Sequence, residues 1–173
     1  MRILTGLLVT AAVCAGGCAG TQPAGLKAVA TLEPRSGSTV SGRVEFRQTS
    51  TGVHLHVELA GLVPGSEHGF HVHEKGDCSA PDAMSAGGHF NPTGAPHGPA
   101  SGPAHHAGDL PSLNANAAGK VKLDLDVAGL TLDPGSTSIV GRSIVVHRDR
   151  DDLTSQPAGN SGPRVACGVI SAK

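Results

Sequence analysis

Val121-Lys122-Leu123-Asp124-Leu125-Asp126-Val127 places an apolar residue at every second position and a charged one between. Side chains of a β-strand alternate between its faces, so Val121, Leu123, Leu125 and Val127 share one face while Lys122, Asp124 and Asp126 share the other. This is an antiparallel strand with one dry and one wet face. Similar alternation runs through residues 27–33, 40–48 and 53–59, and the apolar runs 144–147 and 165–170 add two more strands. Val63-Pro64-Gly65 and Asp133-Pro134-Gly135 mark turns between such runs. With 25 Gly and 12 Pro in 173 residues the chain carries more breakers than a helical bundle tolerates, and no segment shows a helical period. About eight short strands in one domain, closed as a sandwich or flattened barrel, is the expected architecture.

Trp and Tyr are absent and Phe46, Phe70 and Phe90 are the only aromatic residues, so the core must be built from Val, Leu, Ile and Ala. Thirteen Lys and Arg against 14 Asp and Glu give a net charge of −1. Neither a phosphate-binding surface nor aromatic stacking platforms are present, which excludes nucleic acid as an expected partner. The missing Trp and Tyr also remove common interface anchors, favouring a monomer over a homodimer. Ten histidines point towards metal.

The first residues read as an export signal, expected over 1–17. Met1 and Arg2 start it, an apolar run follows from Ile3 to Val13, and Ala15, Gly16 and Gly17 lead into Cys18. The pattern is similar to a bacterial lipoprotein signal, which implies lipid attachment at Cys18; an ordinary cleaved secretory signal ending near Cys18 or Ala24 is the alternative. Residues 18–26 then form a flexible tether, and residues 27–173 the folded domain. The periplasm or cell envelope is the expected location, with the membrane met only through the lipid. If Cys14 leaves with the signal and Cys18 is acylated, Cys78 and Cys167 remain. In an exported domain they most simply form a disulfide, with two free buried thiols as the alternative.

From Lys75 to Asp109 the chain has no sustained apolar alternation and is rich in Gly, Pro, Ala and His. A loop of that length in a small domain is functional or disordered. It contains His89, His97 and His106, followed by Asp109: three imidazoles and a carboxylate, a complete tetrahedral set for zinc. Just before it, Gly69-Phe70-His71-Val72-His73 reads as a strand with both imidazoles on one face, able to chelate copper or zinc. His147 ends the strand starting at Ile144 and can join that pair if the strands are neighbours. His54 and His56 alternate on a wet strand face; they could chelate an ion, but polar surface residues are the simpler reading. His68 reads as a structural hydrogen-bonding residue.

Read together, Gly69-Phe70-His71-Val72-His73, Gly87-Gly88-His89-Phe90-Asn91-Pro92, His106-Ala107-Gly108-Asp109-Leu110, Val145-Val146-His147 and Gly162-Pro163-Arg164-Val165-Ala166-Cys167-Gly168-Val169-Ile170 resemble, in order, the bacterial periplasmic copper-zinc superoxide dismutases. The resemblance spans about residues 27–170. It implies an eight-stranded antiparallel Greek-key sandwich or flattened barrel with long metal-binding and active-site loops. It implies copper on His71, His73, His89 and His147, and zinc on His89, His97, His106 and Asp109, so that His89 is shared. Of the adjacent pair His105 and His106, the His-x-Gly-Asp register selects His106. Cys78 and Cys167 match the family disulfide, Arg164 the active-site arginine, and Asp151 the carboxylate between a copper and a zinc histidine, with Asp152 as the adjacent alternative.

The implied reaction converts superoxide to dioxygen and hydrogen peroxide by cycling Cu(II) and Cu(I). His89 picks up a proton on leaving copper, zinc orients His89, and Arg164 docks the anion. A copper or zinc delivery or storage protein on the same scaffold is the alternative; it would need the histidines but neither Arg164 nor a shared His89. A structural surface lipoprotein would need none of them.

Overall fold

The computed structural model describes residues 25–173. The expected signal at 1–17, Cys18 and most of the tether therefore lie outside the described residues. The strands are β1 (Lys27–Pro34), β2 (Ser41–Gln48), β3 (Gly52–Ala60), β4 (Glu67–His68), β5 (Phe70–His73), β6 (Leu113–Asn114), β7 (Val121–Ala128), β8 (Ser143–His147), β9 (Arg164–Val169) and β10 (Ser171–Ala172). The only helical element among the described residues is a 3-10 turn, Met84–Ala86.

Eight strands form one curled antiparallel sheet in the order β5-β8-β9-β1-β2-β3-β7, with β10 also on β1, and β4 and β6 make a small ribbon. β1 is the hinge. Its residues Lys27–Leu32 pair with β2, while Glu33 and Pro34 pair with Cys167 and Ala166 of β9. The chain leaves β3, builds β4 to β6 elsewhere, and returns as β7 beside β3, a Greek-key return. This is the expected all-β flattened barrel. The extra strands beyond eight are two-residue pieces, too short to leave an alternation pattern.

Strands β1, β2 and β3 bury alternate residues. Ala28, Ala30 and Leu32, then Val44 and Phe46, then Val53, Leu55, Val57 and Leu59 point into the core. β5 and β8 differ, since every residue of Phe70–His73 and Ser143–His147 is buried. Phe70 and Val72 pair with Val146 and Ile144 and join the main core. His71, His73, Val145 and His147 face the other way and are covered by the long segment 75–109 and by the residues between β8 and β9, which supply Asp151 to His71 and the Gly162 carbonyl to His147. That cover is stitched down by backbone bonds: Val72 N–H donates to Gly108 O (2.9 Å), Phe90 N–H to Val72 O (2.8 Å) and Gly108 N–H to Phe90 O (2.8 Å). Gly108 is required there, because a Cβ would run into the Val72 carbonyl.

Cys78 and Cys167 are bonded, with Cα atoms 5.8 Å apart and 89 residues of separation. The bridge joins the start of the covering segment to β9. It packs in a second small core with Ala83, Ala86 and Val145.

Candidate metal centre

Strands β5 and β8 are antiparallel neighbours, so His71 and His73 sit beside the β8 end that carries His147. The covering segment adds the rest through two isolated bridges, His73 to His89 and His71 to Asp109. Two four-residue sets result, His71/His73/His89/His147 and His89/His97/His106/Asp109, each with its donor atoms within 4.8 Å of one another and every member buried. His89 belongs to both. The copper and zinc sets expected from the sequence are the two sets the fold draws together.

The hydrogen bonds around the rings fix which nitrogen is free. A carbonyl oxygen only accepts, so His73 donates Nδ1–H to Gly87 O (3.0 Å) and His147 donates Nδ1–H to Gly162 O (3.1 Å). Their Nε2 atoms then carry lone pairs, and those atoms stand 3.3 Å apart. His71 donates Nε2–H to Asp151 Oδ2 (2.6 Å), and its Nδ1 is buried with no hydrogen-bond partner. His89 Nε2 is likewise buried and unpartnered. Imidazole lone pairs converging in a dry interior repel one another unless a cation lies among them, and nitrogen-only ligation suits copper.

The second set has a carboxylate at its centre. Asp109 Oδ1 lies 2.8 Å from His89 Nδ1, 3.1 Å from His97 Nδ1 and 3.2 Å from His106 Nδ1. His97 gives Nε2–H to Asp151 Oδ1 (2.9 Å), so its Nδ1 meets Asp109 with a lone pair and makes no hydrogen bond despite the short distance. Asp109 Oδ2 accepts backbone N–H from Gly98 (3.2 Å) and His106 (2.9 Å), which orients the carboxylate. Three Nδ1 atoms and one oxygen fit tetrahedral zinc. His105 is turned away, with Nδ1 on the His106 carbonyl (2.7 Å).

Electrostatics keep the ligands in their binding forms. Burial pushes His71 down to about 4 and His147 to about 3, and holds His73 well below its ordinary value, so these rings are neutral at pH 7. Burial works to raise the Asp151 carboxyl, but the bonds from His71, the Leu153 N–H and His97 outweigh it and hold the group at about 2. At Asp109 burial also opposes ionisation, and the bond from His89, the Gly98 N–H and the neighbouring imidazoles hold it well below the carboxylate range.

Asp151 is buried and takes one histidine from each set, whereas Asp152 is exposed and caps its own turn through Thr154 N–H (2.9 Å) and Ser155 N–H (2.7 Å). Arg164 donates to Ala83 O (2.7 Å) and Gly87 O (2.6 Å). Gly87 O is also the acceptor of His73 Nδ1–H, so the guanidinium and a copper-set imidazole share one carbonyl. Arg164 and His147 line a cleft of about 240 Å³ together with Met84, Gln156, Asn160 and Ser161.

Several supporting residues carry no local sequence signal. Gln156 clamps the His97 backbone, accepting its N–H and donating to its carbonyl, both at 2.9 Å across 59 residues. Gly159 lies where a Cβ would strike Asp151 and His97. His68 is buried and gives Nδ1–H to the His147 carbonyl (2.9 Å), the structural part expected of it.

Residues 40–170 match the family described as copper/zinc superoxide dismutase. The chain is 40% identical to Superoxide dismutase [Cu-Zn] 2 of Aquifex aeolicus over 84% of its own length and 86% of that protein. It is 40% identical to the Extracellular superoxide dismutase [Cu-Zn] of Drosophila melanogaster over 96% of itself and 98% of the relative. Among solved structures, a double mutant of a SOD-like protein from Bacillus subtilis superposes with a TM-score of 0.75 at 39% identity, covering 83% of this chain and 96% of that one. With both histidine sets formed inside this fold, the chain belongs to the copper/zinc superoxide dismutase family.

Proposed function

We propose that this chain dismutes superoxide at a copper held by His71, His73, His89 and His147, beside a zinc held by His89, His97, His106 and Asp109. The observation that carries the reading is His89, whose Nδ1 stands at Asp109 and whose Nε2 is buried without a hydrogen-bond partner on the side of the other set. Copper, when bound, supplies one-electron exchange with superoxide, and zinc, which has no redox chemistry, holds His89 in place. Overall, two superoxide anions and two protons become dioxygen and hydrogen peroxide. His89 Nε2 is the atom at which a proton can be held and passed to the reduced substrate. Arg164, fixed by two carbonyls at the cleft, puts a permanent positive charge where a small anion must arrive. Asp151 ties the two sets together, holding the His71 and His97 rings in the tautomers that leave Nδ1 free.

A delivery or storage protein would need the ligands but not the arginine fork, and Arg164 beside the cleft favours the enzyme. The export-signal pattern and the extracellular label of the Drosophila relative support a location outside the cytoplasm, in the periplasm or envelope. Cys18 is the proposed lipid site; the protein should then partition with membranes, and Cys18→Ser should abolish that partitioning.

His89→Ala tests the shared ligand: copper-dependent activity and zinc affinity should fall together, whereas His97→Ala should mainly weaken zinc. Full activity in the His89 variant would refute the assignment.

A further inference from the structure

The outer face of the β3–β7 pair carries a second imidazole cluster, remote in role from the interior centre. The register sets His54 opposite Asp126, His56 opposite Asp124 and Glu58 opposite Lys122. His54 reaches Asp126 Oδ1 with Nδ1 (2.9 Å) and Asp124 Oδ1 with Nε2 (3.3 Å). His56 reaches Asp124 Oδ1 with Nδ1 (2.7 Å) and Glu58 Oε1 with Nε2 (3.4 Å). One Asp124 oxygen thus lies between the two rings. Carboxylate oxygens only accept, and a neutral imidazole owns a single N–H. Each ring therefore stands between carboxylates, a negative setting that favours a bound cation.

We propose that His54, His56 and Asp124 form a surface copper(II) site, separate from the buried metal centre. Residues two apart on a strand project rings from the same face, where they can chelate one ion. Two imidazoles and a carboxylate suit a tetragonal ion, and copper(II) heads the divalent affinity order for nitrogen and oxygen donors. Unlike the interior sets, the rings must turn to close on an ion. Both rings are partly exposed, with side chains 25% and 32% accessible, so an ion can reach them from solvent. Of the neighbouring cations, Lys122 is engaged by Glu58 at 2.7 Å, and Arg47 stands opposite His54 on β2.

The test uses protein already loaded with interior copper and zinc, dialysed to equilibrium against glycine-buffered copper(II), with bound copper counted per chain and read by electron paramagnetic resonance. The wild type should take up a further copper whose spectrum carries nitrogen couplings. His54→Gln with His56→Gln should weaken that uptake by about tenfold or more, and Asp124→Asn, which keeps both rings, by about tenfold. Unchanged superoxide consumption from the interior copper shows that the variants are folded. Further copper bound equally by wild type and the double variant, no further copper in the wild type, or its displacement by equimolar zinc(II) would each overturn the assignment.

Discussion

Asp151→Ala removes the carboxylate that accepts a hydrogen bond from one histidine of each metal set, and the consequences should be unequal. The wild-type carboxylate accepts Nε2–H from His71 at 2.6 Å and from His97 at 2.9 Å, both buried. Loss of such a partner typically costs about 10- to 100-fold in metal affinity, or about 1.4 to 2.8 kcal/mol. His71 sits on β5, where backbone pairing with Val145 holds its Cα whatever becomes of the side-chain bond. His97 sits on a loop tied by Gln156 and by Gly98, so its ring has freedom to turn once Asp151 is gone. The zinc set should therefore bear the full 10- to 100-fold loss, and the copper set less than about tenfold. Competition against chelators of graded affinity, with each metal measured separately, reads both numbers. Zinc affinity unchanged in Asp151→Ala, or copper affinity falling further than zinc, would mean that Asp151 does not hold the His97 ring in place for zinc.

Arg164→Ala should retain both metals yet consume superoxide more slowly, and its residual rate should depend less on ionic strength because the docking charge is gone; a wild-type rate in the metal-replete variant would return the delivery protein to favour. Thiol labelling of denatured, unreduced protein should find Cys78 and Cys167 blocked. Replacing both with Ser should cost roughly 4 to 5 kcal/mol in the chain-entropy view of so large a loop, read by denaturant unfolding. In metal-stripped protein, His71 and His147 have folded pKa values near 4 and 3, below the ordinary value of 6.5. The unfolded chain therefore binds more protons between pH 6.5 and 4, and each ring should make stability fall by up to about 1.4 kcal/mol per pH unit as pH drops through that window. A flat profile there would mean that the rings are not buried neutral.

Residues 121–127 could be read as a strand because one face of β7 stays wet, leaving Lys122, Asp124 and Asp126 as visible markers. β5 and β8 show no such markers. Both faces are dry, so β8 shows only as an apolar run, and in β5 the alternating residues on the second face are His71 and His73, whose chemistry rather than polarity marks them. The ligand residues stand out because imidazoles at short spacing are rare in ordinary loops. The choice between Asp151 and Asp152 could not be made from adjacent identical residues; it depends on which carboxylate a turn aims inward, and that turn leaves Asp152 capping Thr154 and Ser155. Gln156, Gly159 and the carbonyls of Gly87 and Gly162 act across tens of residues, through backbone positions that every sequence possesses.

If two metals bound in one buried cluster carry superoxide dismutation, metal content and superoxide consumption measured on the same purified protein must rise and fall together. One zinc and one copper per chain that survive dialysis against a mild chelator, with activity lost on removal of that copper and restored by its return, is the predicted result. A full complement of copper and zinc with no superoxide consumption would contradict it.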